Sequence, residues 1–179
     1  RTAEGLITSP PSIQFEEDGP WRIMVAAYRR FMDDIMNRQY NDAYRTLRML
    51  DPNHLISYRQ GNLPPTDYTL TSTLKHVDFF SMEAYSFPPI ENGANKVGFV
   101  NRYLSYVFDD KPFMWNEYGY GGPWGKHTRH LDGEDIEYQY EYVEMVNREA
   151  YKNGANGIAP WWFPGGLRAS EKTDFGITT

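Results

Sequence analysis

Short apolar runs alternate with helical patterns along most of this chain, and that alternation restricts the folds it can adopt. Four runs have the length and composition of buried strands: 55–58, 77–82, 112–115 and 157–162. Apolar residues at three- and four-residue steps predict helices over 94–108 and 134–152. A brief helix over 71–75 is expected between the first two strands. Strands separated by helices predict an α/β fold with a parallel sheet.

The first fifty residues predict a loop followed by a long helix. Residues 1–20 contain closely spaced proline and glycine, and Asp18 before a Gly-Pro pair is a typical helix start. From residue 21 an apolar stripe at helical spacing continues to residue 50, where an Asp-Pro-Asn sequence ends the helix. The polar residues 37–39 are a point at which this helix could kink or split.

Four parallel strands with helices between them are half of an eight-stranded barrel. A half barrel cannot close, and its exposed parallel edges would be open to pairing with other chains. We therefore expect residues 1–179 to form a single-domain fragment of a barrel. The missing half-barrel would come from the rest of the protein, from another chain or from a second copy.

The composition excludes several classes of function. The net charge of −6 argues against a nucleic-acid partner, which would need a basic face. There is no cysteine for a disulfide framework or a metal site, and no apolar run is long enough to span a membrane. The 14 Tyr, 10 Phe and 5 Trp provide many flat faces that suit sugar rings, although most will fill the core.

The segment 111–120 carries the strongest functional signal. Its apolar run is followed by a carboxylate, Glu117, and then by a glycine-rich stretch. In α/β folds ligands bind beyond the carboxyl ends of parallel strands, and Glu117 stands at such an end among Trp115, Tyr118 and Tyr120. This pattern favours a catalytic carboxylate that faces a sugar ring. The alternative is a glutamate that caps the next helix or pairs with an arginine.

Polar side chains also stand at the ends of the first two strands. Arg59 follows the first strand and could bind sugar hydroxyls or brace the local loop. Glu83 follows the second and could be a second catalytic carboxylate, an acceptor for sugar hydroxyls or the partner of Arg59. Tyr85 is the expected hydrogen-bond donor to Glu117, because their strand ends should be neighbours.

A metal centre is the rival chemistry. His127 and His130 stand three residues apart in the long loop after Glu117, with acidic residues at 132, 134 and 135. They lack the helical scaffold of a His-Glu-x-x-His site, so neither a metal ion nor another cofactor is expected. Trp124, in the same loop, could cover the site as a binding platform or pack beneath the loop.

Several of these motifs together resemble clan A of the glycoside hydrolases, the retaining (β/α)8-barrel enzymes. Lys-Pro-Phe at 111–113 followed by Glu-Tyr-Gly at 117–119 is similar to the strand-seven pattern of that clan. Trp161 or Trp162 matches the strand-eight tryptophan. The Glu-Ala-Tyr sequence at 83–85 stands where many members carry His-x-Tyr at the end of strand six.

The resemblance implies a catalytic barrel in which this chain runs from the loop after strand four, residues 1–20, through helix four to strand eight, residues 21–179. It implies that Glu117 is the nucleophile and that a tryptophan at 161 or 162 forms the floor of the sugar site. The clan's acid/base glutamate ends strand four and would precede residue 1, whereas Glu4, Glu16 and Glu17 are expected to be solvated loop carboxylates.

The function expected from this resemblance is retaining hydrolysis of β-linked glycosides or polysaccharides. The substrate-binding candidates are Tyr85, Glu83, Trp161, Trp162, Arg59, Trp124 and Tyr118. A non-catalytic carbohydrate-binding barrel or an inactive fragment is the alternative, ahead of a metal-dependent hydrolase. The sequence leaves the compartment open, and only the resemblance favours a secreted or periplasmic protein.

Overall fold

The computed structural model of the protein describes residues 5, 8–61, 69, 71, 75–85, 90–109, 111–122, 131, 133–166, 168 and 174–178. Its elements are α1 (Ser12–Glu16), α2 (Arg22–Leu50), β1 (Arg59–Gln60), β2 (Phe80–Ala84), α3 (Ile90–Val107), β3 (Phe113–Tyr118), α4 (Gly133–Lys152) and β4 (Gly157–Pro160). They belong to two structural units. The first consists of Arg1–Ile56 and Pro64–Val77, and the second of Ser57–Leu63 and Asp78–Thr179.

The first unit contains the long helix that the apolar stripe predicted. Helix α2 runs for 29 residues without interruption, so the polar residues 37–39 do not split it. Its end is fixed by Asp51, whose carboxylate accepts hydrogen bonds from the backbone N–H groups of Asn53 at 3.1 Å and His54 at 3.2 Å. These hydrogen bonds lower the pKa of Asp51. The short helix α1 lies in the segment predicted to be a loop, and most of 71–75 lies outside the described residues.

The second unit is built on a parallel sheet with the strand order β1-β2-β3-β4. The predicted α/β class and the parallel sheet are therefore confirmed. The boundaries differ from the apolar runs: the first two strands pair later, at 59–60 and 80–84. Apolar runs report burial, whereas strand pairing continues into the polar residues at the carboxyl ends. For the same reason β3 extends through Glu117 to Tyr118.

A β-bulge in β3 changes the face on which its last residues lie. Trp115 pairs with Met82, but the next pair along is Glu117 with Glu83, which leaves Asn116 as an extra residue. The pairing with β4 contains the same extra residue, between Trp115 and Tyr118. Because side chains alternate between faces along a strand, one added residue moves every later side chain to the opposite face.

Helices α3 and α4 cover the face of the sheet that carries Phe113 and Trp115. Trp115 is fully buried, and its indole N–H donates to Asn101 Oδ1 of α3 at 2.8 Å. Asn101 is itself fully buried and donates onward to the carbonyl of Ala150 in α4 at 2.9 Å. One amide therefore satisfies polar groups of a strand and of a second helix, which fixes how these three elements pack.

Tyr118 belongs to this core. Its ring is fully buried, and its hydroxyl accepts a hydrogen bond from Asn147 Nδ2 of α4 at 2.9 Å. Burial raises the pKa of Tyr118 to about 12. The sequence predicts a substrate contact for Tyr118, but the bulge turns its side chain towards the helices, where the ring is fully buried.

The raised pKa of Tyr118 predicts a loss of stability in alkali. The folded pKa lies above the unfolded value of 10.0, so unfolding releases the phenolic proton and becomes easier above that pH. In Tyr118→Phe the side-chain amide of Asn147 still donates a hydrogen bond to the carbonyl of Val143, at 2.9 Å, so it is not left without an acceptor. We expect this variant to be about 1 kcal/mol less stable than wild type at neutral pH. That difference should shrink by about 1.4 kcal/mol per pH unit above 10.

Urea unfolding of both proteins at a series of pH values from about 8 to about 11 measures this difference. Tyr120 and Tyr142 also have raised pKa values and are present in both proteins. Burial is the largest cause of each shift, and Tyr118 contributes only the smallest cause for Tyr142, so most of their effect cancels in the comparison. A difference that stays constant across the series would contradict the prediction.

Candidate active site

Two glutamates stand side by side at the carboxyl end of the sheet. Glu83 of β2 and Glu117 of β3 are paired in register, and their side chains are 14% and 12% exposed. Without the bulge at Asn116, Glu117 would continue the alternation of Phe113 and Trp115 and would face the helices. The extra residue instead brings Glu117 to the face of Glu83, opposite the helical layer.

Arg59 joins the two carboxylates. Its Nε forms an ion pair with Glu83 Oε1, and its Nη2 lies 2.8 Å from Glu117 Oε2. A guanidinium presents its donors in a planar fork, so one side chain can contact both neighbours from strand β1. The side chain of Arg59 is 59% exposed, so solvent still reaches this cation. Of the three roles considered for Glu83, the geometry shows the ion pair with Arg59, and the same arginine also contacts Glu117.

Tyr85 engages the other oxygen of Glu117. Its hydroxyl donates to Glu117 Oε1 at 2.5 Å, which is the hydrogen bond expected from the neighbouring strand ends. With Arg59 on Oε2, both oxygens of this carboxylate have donors. Both donors stabilise negative charge on Glu117 and fix the plane of the carboxylate.

Trp161 and Trp162 follow β4 at the same edge of the sheet. The backbone N–H of Trp161 donates to the carbonyl of Tyr118 at 2.6 Å, which ties the pair to the end of β3. A cis peptide bond joins the two residues. Their ring centroids are 5.9 Å apart, and the Arg168 guanidinium lies over both rings at 4.9 and 4.6 Å. This cation covers part of the surface that was predicted to stack on a sugar.

Among the side chains of β3 and the tryptophan pair, two buried polar atoms have no hydrogen-bond partner within the described residues. They are Trp162 Nε1, a donor, and Asn116 Oδ1, an acceptor. Buried polar groups are nearly always satisfied, by protein, water or ligand. These atoms are therefore places where a polar group of a bound ligand or a water molecule would gain a hydrogen bond.

Phe175 closes the site from a later part of the chain. Its ring meets Tyr85 edge-on, with centroids 5.7 Å apart. The backbone that follows its Cα is joined to Trp162 by two hydrogen bonds, since Trp162 N donates to the Phe175 carbonyl and Ile177 N donates to the Trp162 carbonyl, each at 3.3 Å. Sequence reasoning missed Phe175. Its one sequence signal was the glycine-rich stretch after Glu117, which indicates a close approach of other groups.

The glycines at 119 and 121 are required by that close approach. A Cβ on Gly119 would lie 3.0 Å from the Phe175 ring and closer still to the Trp161 carbonyl oxygen. A Cβ on Gly121 would lie 2.8 Å from the same ring. Neither contact leaves room for a methyl group, so these residues hold Phe175 and Trp161 against the end of β3.

Gly119→Ala should therefore destabilise the second unit by about 1–3 kcal/mol through overpacking against a backbone atom. Urea unfolding followed by tryptophan fluorescence measures the cost and reports displacement of Trp161. Gly61→Ala is the matched control, because a Cβ there meets nothing within 4 Å. Equal stability of the two variants would show that the end of β3 has more room than the structure gives it.

Several predicted candidates lie outside the described residues. These are Glu4, Trp124, His127, His130 and Asp132. Glu134 and Asp135 form the acidic first turn of α4, a favourable place for negative charge. Within the described ranges no group of three or more histidine or acidic side chains is arranged to hold a metal ion. No helix in that part of the chain is long and apolar enough to cross a membrane.

The sequence matches no protein-family model and no curated protein. Its structure is similar to solved glycoside hydrolases and related enzymes. A β-1,3-glucanosyltransferase from Rhizomucor miehei, solved with laminaritriose, aligns with 79% of this chain and 53% of its own, at 14% identity and a TM-score of 0.58.

Two β-glucuronidases align over the same share of this chain. The enzyme from Dictyoglomus thermophilum has 16% identity, a TM-score of 0.59 and 26% of its own chain covered. The enzyme from Bifidobacterium dentium has 23% identity, a TM-score of 0.53 and 25% covered. At these identities the likeness shows a shared fold, that of the barrel glycosidases. The chain spans about half the length of the glucanosyltransferase that it matches.

Proposed function

We propose that the protein is a retaining glycoside hydrolase that cleaves β-linked sugars through Glu117. The observation that carries this proposal is the carboxylate of Glu117, which lies at the carboxyl end of a parallel sheet. Tyr85 donates to one of its oxygens and Arg59 to the other. The enzymes of similar structure act on glycosidic bonds, as their names state. The resemblance to clan A assigns the nucleophile to the same glutamate, Glu117.

The reaction proceeds by two displacements. In the first, an oxygen of Glu117 attacks the anomeric carbon, and the bond to the leaving oxygen breaks with its electron pair as an acid donates a proton to that oxygen. In the second, a base removes a proton from water, the water oxygen attacks the anomeric carbon, and the ester bond breaks with its pair returned to Glu117. The donors from Tyr85 and Arg59 hold Glu117 in one orientation for the attack.

The proton donor is a second carboxyl group, about 5–5.5 Å from the nucleophile in retaining enzymes. Glu83 is engaged by Arg59, so we assign it to the support of the site rather than to proton transfer. We place the acid/base in a part of the complete protein outside residues 1–179, on the missing half-barrel. This agrees with a chain that matches about half of the glucanosyltransferase.

The sugar ring would occupy the space beside Trp161 and Trp162, where the indole N–H of Trp162 offers a buried donor. Trp124 and Arg59 are further candidates for substrate contacts. A carbohydrate-binding barrel without catalysis is the second candidate function. It is favoured by the ion pair of Glu83 with Arg59, because this pairing leaves no assigned proton donor beside Glu117 among the described residues.

Covalent trapping on the complete protein tests the nucleophile. Dinitrophenyl 2-fluoro-β-glycosides of several sugars carry a leaving group that needs little acid assistance, so they report on the nucleophile alone. We expect a glycosyl ester on the peptide that contains Glu117, and the member of the panel that reacts identifies the sugar. A label on Glu83 would contradict the assignment, and sugar binding without any label would favour the binding barrel.

Glu117→Gln should bind the same sugar and lose turnover by on the order of a thousandfold or more, since the amide cannot attack. Glu144→Gln is the matched control, because Glu144 is 61% exposed and forms an ordinary i,i+4 pair with Arg148. A Glu117→Gln enzyme with full turnover would eliminate this residue as the nucleophile.

A further inference from the structure

We propose that Glu83 is a positioning residue that acts on the nucleophile through Arg59, by dividing the positive charge of this one arginine between two carboxylates. The inference rests on the proposed function of Glu117. It gives Glu83 a role that differs from each role considered in the sequence, namely second catalytic carboxylate, acceptor for sugar hydroxyls and simple ion-pair partner.

The contacts of Arg59 supply the first step. Nε contacts Glu83 and Nη2 contacts Glu117, so the two carboxylates occupy different positions on one rigid, planar group. The guanidinium cannot turn towards one glutamate without changing its contact with the other. The orientation of Arg59 at Glu117 is therefore set partly by Glu83.

The support of Arg59 supplies the second step. Strand β1, which carries Arg59, is two residues long, and the side chain is 59% exposed. Backbone pairing of so short a strand constrains the side chain little, and ordering a long arginine side chain costs conformational entropy. Glu83, which is 14% exposed and lies on the longer strand β2, is the more firmly held anchor for the guanidinium.

The charge balance supplies the third step. Two negative side chains share one positive side chain. The anion of Glu117 is therefore stabilised less than it would be by an arginine that contacted no other carboxylate. In Glu83→Gln the amide oxygen can still accept from Nε, but the competing negative charge is gone. More of the positive charge of Arg59 is then available to Glu117.

This change has opposite consequences for the two displacements. Glu117 loses negative charge when it attacks the sugar, so a stronger cation beside it slows formation of the ester. Glu117 regains that charge when it leaves, so the same cation speeds breakdown of the ester. Nucleophiles and leaving groups respond in opposite directions to stabilisation of their anion, as is established for thiolates in disulfide exchange.

The experiment measures both steps with the dinitrophenyl 2-fluoro-β-glycoside that labels the wild-type protein. The rate of inactivation reports formation of the ester, and recovery of activity after removal of the reagent reports its hydrolysis. For Glu83→Gln we expect inactivation about fivefold slower and recovery about fivefold faster, the size typical of a partly exposed ion pair. Glu144→Gln, which breaks a surface pair on α4, should change neither rate.

Three outcomes would overturn the inference. Slower recovery with unchanged inactivation in Glu83→Gln would mean that Glu83 activates the attacking water. Unchanged rates of both steps would mean that it does not influence Glu117. Equal slowing of both steps would indicate a general distortion of the site. Each leaves the proposed function intact as long as the wild-type label is on Glu117, whereas absence of that label removes the proposed function and this inference together.

Discussion

The extra residue in β3 is the constraint on which the arrangement of the site depends. Between Trp115 and Tyr118 this strand has one residue more than either neighbour, and Asn116 is that residue. Ahead of it, the inward side chains of the strand build the core with α3; beyond it, Glu117 turns to the opposite face and Tyr118 turns inward. A bulge in a parallel pair is unusual, and bulges are often found where a strand must re-aim a side chain beside an active site.

Placing two carboxylates on neighbouring strands has an electrostatic cost that the second unit has to offset. Like charges at adjacent strand positions repel, and partial burial strengthens the repulsion because water screens it less. Arg59 and the Tyr85 hydroxyl offset this cost with charge-assisted hydrogen bonds. The same contacts that make the pair tolerable also hold Glu117 in one orientation, so stability and positioning come from one set of side chains.

Much of this arrangement could be predicted because it depends on local pattern and on one topological rule. Apolar runs and helical spacing give the α/β class, and parallel strands bring their carboxyl ends together, which is enough to expect Tyr85 beside Glu117. The burial of Tyr118 could not be predicted, because a bulge leaves no clear trace in hydrophobic periodicity and Glu117 and Tyr118 look equally placed at the strand end. Phe175 and Arg168 reach the site from beyond β4, through contacts that no local pattern encodes.

The backbone clamp between Trp162 and the residues around Phe175 has a consequence for how this protein can diverge. The two hydrogen bonds hold Trp162 and the backbone at 175–177 together, so the chain leaves and re-enters the base of the site at fixed points. Lengthening a loop whose ends are already fixed adds little entropic cost. Insertions between these anchor points can therefore accumulate while the glutamates, Arg59 and Tyr85 keep their places. An insertion that displaced Arg168 would uncover the two indole rings, so the surface beside the glutamates can change while the glutamates themselves stay in position.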